Sequence, residues 1–254
     1  MIQRYFIFFT VILMHISQSG CEKKDKNYLL VGTAMSLKGP MEEISSEFEK
    51  KHNIKLRLNL ASSGVLATQI RAGAPLDIYL SASSKFMDHM VDTGFIVPDS
   101  RIDFLSNTLV LVAPKSSSVP VSLKDIIRLK SISIGNTSTV PAGIYAKKVL
   151  MEMGIFKDLK SKIVYGQHVR QVASYVIRGE VEAAILFYSD FVTFRNKLRL
   201  VEKISPEKVN ITYSAGIIIN SVASKRAQVL LKFLESDFSK NVFKKYGFIP
   251  RSNK

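Results

Sequence analysis

The stretch from residue 55 to residue 82, KLRLNLASSGVLATQIRAGAPLDIYLSA, decides the fold class. Its first seven residues, Lys55–Ala61, look like a strand. Residues 65–72 have the pattern of a helix, and residues 76–81 predict a second strand. A strand, a helix and a strand in direct succession favour a parallel or mixed α/β sheet.

The same alternation continues on both sides of this stretch. Upstream, residues 28–35 predict a strand, and Met41, Ile44, Ser45 and Phe48 recur at helical spacing. Downstream, strands are predicted at 131–134, 162–165 and 183–187, with a helix at 142–153 and another whose apolar face is Val169, Val172, Ala173, Val176 and Ile177. The chain therefore belongs to the α/β class throughout.

Two longer apolar runs, at 108–113 and 211–219, separate a central block from the flanking segments. If both runs cross between lobes, residues 28–110 and 212–254 form lobe 1, and residues 111–211 form an inserted lobe 2. The terminal helices would then pack back on lobe 1. One continuous sheet fits the same pattern.

The N-terminus has the layout of a lipoprotein signal. Residues 1–20 hold an apolar run that is shorter than the roughly 20 residues needed to span a bilayer, which is typical of a signal peptide. Cys21, the only cysteine, follows the small residues Ser19 and Gly20, so we expect it to be acylated; Gln18 stands where such signals usually have an aliphatic residue. Residues 21–27 would be a tether. We therefore expect an exported protein, periplasmic or lipid-anchored at the outer face of the membrane; the alternative is a buried N-terminal strand or helix.

The composition allows a sizeable core and a basic surface. The chain has 254 residues, 46% of them hydrophobic, and a formal net charge of +15. Such a charge suits nucleic acid, an anionic membrane or an anionic ligand. Export and the lack of a glycine- and aromatic-rich RNA-binding pattern argue against nucleic acid, and scattered lysines more commonly form a solvated surface.

Catalytic motifs are missing from the sequence. It has no nucleophile elbow, Walker A sequence or dinucleotide fingerprint, and its histidines are isolated, without metal-site spacing. Asp77 and Asp190 lie at strand ends, where α/β enzymes often place catalytic acids, but capping or lobe contacts explain them equally well. We expect a binding protein without a cofactor. The alternative is an exported hydrolase or transferase that acts on an anionic substrate.

Four strand-to-helix junctions carry small or hydroxyl-bearing residues, at 33–36, 61–64, 140–143 and 167–169. A helix start exposes unpaired N–H groups and a partial positive charge, and such starts gather where α/β sheets bind ligands. Ser36 and Ser63 could add hydroxyl donors, and Pro141 would preset the first turn of its helix. Each serine alone could equally be a helix cap. Together, the four junctions predict an anion site.

Several of these segments resemble the periplasmic molybdate-binding proteins of ABC uptake systems. They are ASS at 61–63, LATQIRAGAPLD at 66–77, IYLSA at 78–82, NTLVLVAP at 107–114, VPAGIYAK at 140–147 and FKKYGF at 243–248. The resemblance implies a two-lobed type II periplasmic binding fold that holds molybdate or tungstate in a cleft between its lobes. It also implies an ABC permease and its ATPase as membrane partners, with the binding protein itself a monomer.

The resemblance also implies the ligand contacts. Ser36 and Ser63 would offer hydroxyl and N–H groups, and Ala142 and Val169 backbone N–H groups, all to the oxygens of the oxyanion and none to the metal directly. The family's tyrosine aligns with Phe187, which has no hydroxyl. Either Tyr188 supplies that donor or the hydrogen bond is missing. A sulfate-type binding protein and a ligand-sensing regulatory domain are alternatives, although a regulator would need a DNA-binding segment.

Overall fold

The computed structural model describes residues 27–117, 122–205 and 209–251. The predicted signal peptide, the predicted acylation site Cys21 and all of the tether before Asn27 lie outside these ranges. Among the described residues, no helix is both long enough and apolar enough to cross a membrane.

Strands and helices alternate through most of the chain. The strands are β1 (Tyr28–Ala34), β2 (Lys55–Ala61), β3 (Ile78–Ser81), β4 (Ile102–Asn107), β5 (Leu109–Pro114), β6 (Ile132–Gly135), β7 (Ile163–Gly166), β8 (Ala183–Phe187), β9 (Leu198–Lys203), β10 (Ile211–Ile217) and β11 (Ile249–Pro250). The helices are α1 (Lys38–His52), α2 (Ser63–Arg71), α3 (Ser84–Asp92), α4 (Pro141–Glu152), α5 (Phe156–Leu159), α6 (Val169–Ile177), α7 (Tyr188–Phe194), α8 (Ser224–Leu234) and α9 (Asp237–Lys245).

The strands form two mixed sheets. One has the order β11-β4-β10-β3-β1-β2, and the other has the order β7-β6-β8-β5-β9. In the first sheet β1 pairs in parallel with β2 and β3, whereas β10 runs antiparallel to β3 and β4. In the second, β6 is parallel to β7 and β8, and β5 is antiparallel to β8. The predicted α/β class is confirmed, with each sheet forming one lobe.

The chain passes between the lobes at two places. It leaves the first sheet after β4 and enters the second at Leu109, and it returns between β9 and β10. The predicted boundary after residue 110 is therefore two residues late, because Leu109 and Val110 pair with β8 in the second sheet. The sequence pattern puts Ile211 in lobe 2, but this residue pairs with Asn107 of β4 in the first sheet.

The C-terminal helices pack on the first lobe. The ring of Phe233 in α8 lies edge-on to that of Phe48 in α1, with centroids 5.3 Å apart. Phe243 in α9 contacts Phe104 of β4 in the same way at 5.6 Å. All four belong to one buried apolar cluster, and burying such rings is a major source of core stability. These helices thus cover the sheet of lobe 1 and leave the strand ends free for a site.

Candidate functional site

A small cleft lies between the two lobes, at the ends of their parallel strands. The space inside it is small, about 10 Å³ for the centre of a water-sized molecule. Lobe 1 contributes the residues that follow β1, β2 and β3, and lobe 2 the starts of α4 and α6 and the end of β8. The lining residues are Ala34, Met35, Ser36, Ser62, Ser63, Ala82, Val140, Pro141, His168, Val169 and Phe187. All four predicted junctions therefore meet at one place.

The two predicted serines already have hydrogen-bond partners within lobe 1. Ser36 lies in a single 3-10 turn, Met35–Leu37, and its Oγ is 2.9 Å from the Tyr213 hydroxyl. Ser63 is the first residue of α2, and its Oγ accepts the Ala82 N–H at 2.9 Å. A hydroxyl that accepts one bond still has its own proton to donate. Ser63 can therefore donate its proton into the cleft.

Ser62 is a further candidate, which the sequence motifs did not single out. It precedes α2 and is only 4% exposed, and its Oγ has no hydrogen-bond partner among the described residues. A buried hydroxyl without a partner costs about 1–3 kcal/mol. Because this residue lines the cleft, a bound ligand is the natural partner of its hydroxyl.

Lobe 2 presents two helix starts to the cleft. Ala142 is the second residue of α4 and Val169 the first of α6, so their N–H groups have no acceptor within the helix. Ala142 itself is fully buried, and its predecessors Val140 and Pro141 form the cleft wall. A Cβ on Gly143 would lie only 2.0 Å from the carbonyl oxygen of Gly135, which shows how closely α4 packs on β6.

His168 lines the cleft as a neutral ring. Its Nδ1 accepts the Gln171 N–H at 3.1 Å, which caps α6 and places the ring proton on Nε2. Burial, more than the repulsion from Arg170, lowers the pKa of His168. The sequence pattern puts His168 in the predicted junction at 167–169 but indicates no metal site and no ligand role for its side chain.

The structure corrects the assignment of a donor to Tyr188. Strand β8 ends at Phe187, whose ring lines the cleft, and Tyr188 begins α7. The Tyr188 ring packs against Phe191 instead, and the Lys203 ammonium lies 4.4 Å from its centroid. No strand shift brings its hydroxyl inwards, because the chain turns into a helix at this residue.

A different tyrosine stands behind the cleft. Tyr213 of β10 is fully buried, and its hydroxyl contacts Ser36 Oγ at 2.9 Å and Asn107 Nδ2 at 3.3 Å. Its ring centroid is 5.8 Å from that of Phe187. Little in the sequence points to this residue, since an aromatic side chain in an apolar strand usually serves the core.

The lining of the cleft carries no formal charge in the part of the chain that the structure describes. It contains no Lys, Arg, Asp or Glu side chain, and no group of three or more described His, Cys, Asp or Glu residues could hold a metal ion. The site therefore offers oriented dipoles, namely helix starts and hydroxyls, rather than a counter-charge.

The two strand-end aspartates lie outside the cleft, Asp77 in lobe 1 and Asp190 in lobe 2. Asp77 accepts the Leu30 N–H at 2.8 Å and the Ser221 hydroxyl at 2.6 Å, joining β1 to the loop after β10. Asp190 is buried in α7, where its Oδ2 has no hydrogen-bond partner among the described residues. Burial raises the pKa of Asp190 to about 7, against the attraction of Arg170 and a hydrogen bond with the Phe187 backbone. Neither carboxylate lines the cleft.

The protein has two lobes, two crossovers that join them, and a small cleft of hydrogen-bond donors between them. This arrangement is typical of solute-binding proteins. The model of the bacterial extracellular solute-binding protein family matches residues 29–249. The chain belongs to this family.

Comparisons with known proteins agree with this assignment. A Bacillus subtilis protein named as an ABC transporter substrate-binding lipoprotein, YvgL, is 33% identical over 98% of this chain and 99% of its own length. The molybdate-binding protein ModA of Escherichia coli is 28% identical over 98% and 99%. The chain is thus an ABC-type substrate-binding protein related to ModA, as the sequence resemblance predicted.

Solved structures show the same fold. The periplasmic molybdate-binding protein of Azotobacter vinelandii superposes with a TM-score of 0.80 over 88% of this chain and 100% of that one, at 21% identity. The sulfate-binding protein SubI of Mycobacterium tuberculosis superposes with a TM-score of 0.76 over 88% and 86%, at 10% identity. The predicted two-lobed type II periplasmic binding fold is confirmed.

Proposed function

We propose that this protein captures a tetrahedral oxyanion, molybdate or tungstate, in its interlobe cleft and presents it to an ABC importer. The observation that carries the proposal is the convergence of four strand-to-helix junctions on one small, uncharged cleft. The contacts would be the hydroxyls of Ser36 and Ser63 and the N–H groups of Ala142 and Val169.

Fixed dipoles suit the capture and release of a dianion. Each helix start carries a partial positive charge, and bonds from N–H or O–H to a charged acceptor are about twice as strong as neutral ones. A site of neutral donors also leaves no unpaired buried cation when the ligand dissociates. An unpaired buried charge would destabilise the ligand-free protein. The ligand can therefore bind tightly and still be delivered.

The relatives support molybdate over other oxyanions. The Escherichia coli and Azotobacter vinelandii proteins are both named as molybdate-binding, and the former aligns over nearly the whole chain. Sulfate is the second candidate, because a sulfate-binding protein shares the fold. Sulfate is smaller than molybdate, so a rigid ring of donors cannot fit both equally well.

A lipid anchor at Cys21 would hold the protein beside its permease. Cys21 follows the predicted signal peptide, and the Bacillus subtilis relative is named as a lipoprotein. Cys21→Ser should release the protein into the soluble exported fraction. An unchanged membrane-bound fraction would show that another feature anchors the chain.

The test of the function is direct titration. A version of the protein without the signal peptide and Cys21, residues 22–254, should bind molybdate and tungstate with one-to-one stoichiometry in calorimetry, without turnover of phosphate or sulfate esters. Ester hydrolysis without saturable oxyanion binding would instead favour the hydrolase alternative.

A further inference from the structure

The side chain of Asn107 has a defined orientation at the end of β4. Its Oδ1 accepts the Thr108 backbone N–H at 2.9 Å, so the amide nitrogen must point the other way. There Nδ2 donates to Ser189 Oγ at 2.9 Å and faces the Tyr213 hydroxyl oxygen at 3.3 Å. A backbone N–H can only donate, so it fixes which end of the amide is the donor.

This orientation sets the direction of the next hydrogen bond. The oxygen of Tyr213 accepts from Asn107, and its own proton is then free for Ser36 Oγ, 2.9 Å away. Tyr213 is fully buried, and burial raises the pKa of its hydroxyl well above the usual 10, so the proton stays on the phenol oxygen. With Ser36 Oγ accepting from Tyr213, the Ser36 proton is left to point into the cleft.

We propose that Tyr213 is a positioning residue that, held by Asn107, fixes Ser36 as a donor to the bound oxyanion. This inference rests on the proposed function of the cleft. It also gives the site an oriented hydroxyl donor, Ser36, although Phe187 lines the cleft without a hydroxyl. The Phe187 ring packs against that of Tyr213.

The same arrangement contributes to selectivity. Because Tyr213 occupies an acceptor site of Ser36 Oγ, a ligand that must itself donate a proton, such as hydrogen phosphate, finds a poorer partner there. Without the Tyr213 proton, the Ser36 hydroxyl could rotate and accept. Loss of the Tyr213 hydroxyl should therefore lower the ratio of molybdate affinity to phosphate affinity. Loss of a purely structural hydrogen bond would leave this ratio unchanged.

The chain of hydrogen bonds from Asn107 through Tyr213 to Ser36 is called the relay below. A double-mutant cycle on molybdate affinity tests it. Tyr213→Phe should weaken binding about tenfold in the wild-type background, roughly the value of one oriented hydrogen bond, and should have almost no effect when Ser36 is already Ala. Tyr79→Phe is the matched control: this tyrosine of lobe 1 is also fully buried, but its hydroxyl donates to the Ser63 carbonyl at 2.8 Å. Its effect should be the same with and without Ser36→Ala.

Asn107→Asp provides a second route if Tyr213→Phe does not fold. The introduced carboxylate can still accept from Thr108 but cannot donate to Tyr213. Tyr213 would therefore turn its proton to that carboxylate and draw the Ser36 proton out of the cleft. The relay predicts a loss of affinity that shrinks in the Ser36→Ala background, whereas simple charge repulsion predicts the same loss in both.

The outcomes separate the two claims. Additive effects of Tyr213→Phe and Ser36→Ala, or an unchanged affinity in Tyr213→Phe, would overturn the relay while wild-type binding leaves the proposed function intact. If the wild-type protein binds no oxyanion at all, the proposed function fails and the relay with it.

Discussion

The backbone N–H of Gly64 donates to the carbonyl oxygen of Thr139 at 3.0 Å, directly across the cleft from lobe 1 to lobe 2. Gly64 is the second residue of α2, and Thr139 precedes the first turn of α4. A Cβ on Gly64 would lie 2.7 Å from Thr139 Cα. The closed arrangement of the lobes thus depends on a residue without a side chain at this point.

Gly64→Ala should therefore weaken oxyanion binding by about 1–3 kcal/mol, the usual cost of overpacking, because the lobes can no longer close fully. Calorimetry measures the affinity, and small-angle scattering with ligand should show a more open molecule. Gly73→Ala, just beyond the same helix, is the control. Its positive φ of 86° makes alanine costly to stability, but open space surrounds it and affinity should not change. Equal losses of affinity in both variants would refute a role for Gly64 in closure.

Ser36→Ala and Ser63→Ala should each weaken binding by about 1–3 kcal/mol, because each removes a hydrogen bond to a charged ligand. Unfolding free energy should fall by only about 1 kcal/mol in each, comparable to a lost cap. Ser62→Ala should also weaken binding, and it should cost little stability because its hydroxyl has no partner among the described residues.

Ser133→Ala is the control for these serines, since Ser133 is a buried serine of β6 that donates to the Val164 carbonyl. It should lower stability and leave affinity unchanged. If Ser36→Ala and Ser63→Ala behave in the same way, those serines are structural only.

The aromatic pair gives a prediction that decides between the two alternatives the sequence leaves open, a hydroxyl donor at Tyr188 or no such donor. Tyr188→Phe should leave affinity within about twofold, less than the value of one hydrogen bond, because its hydroxyl lies outside the cleft. Phe187→Leu should reduce affinity, since it removes part of the cleft wall that packs on Tyr213. A larger loss from Tyr188→Phe than from Phe187→Leu would restore Tyr188 as the ligand donor.

The buried carboxyl of Asp190 should make stability fall as pH rises. Its pKa is about 7 in the folded protein and near 3.8 when unfolded, so between these values the folded state holds a proton that the unfolded state has lost. This contribution is fully present below about pH 4 and declines by at most about 1.4 kcal/mol per pH unit up to about pH 7. Urea unfolding across this range measures the slope, which Asp190→Asn should reduce. An identical slope in both proteins would mean that Asp190 titrates normally.

Local patterns in the sequence predicted most of the lobe framework. The bounds of β2 and β8 match the predicted strands at Lys55–Ala61 and residues 183–187. Strand β8 is a continuous, fully buried apolar run, whereas β2 alternates polar and apolar side chains, and both patterns are typical of strands. Strand β9 was not predicted. Its partly exposed, charge-rich sequence becomes a strand only by pairing with β5 at the sheet edge.

The site was only partly predictable for a similar reason. Ser36 and Ser63 stand at helix starts, which leave a local signal. The partner of Ser36 is Tyr213, 177 residues further along the chain, and no local pattern indicates that contact. The hydroxyl of Tyr188 makes it a candidate donor in the sequence, but the strand-to-helix turn at this residue decides which side chain lines the cleft.

Competition calorimetry between molybdate and sulfate tests the central claim most directly. Neutral donors spaced for the larger dianion should bind molybdate and tungstate similarly and sulfate at least about a hundredfold more weakly, through several strained bonds of about 1 kcal/mol or more each. Phosphate, partly protonated near neutral pH, should also bind poorly. We expect that sulfate does not displace molybdate at comparable concentrations; displacement under those conditions would contradict the proposed function and identify a sulfate-type binding protein.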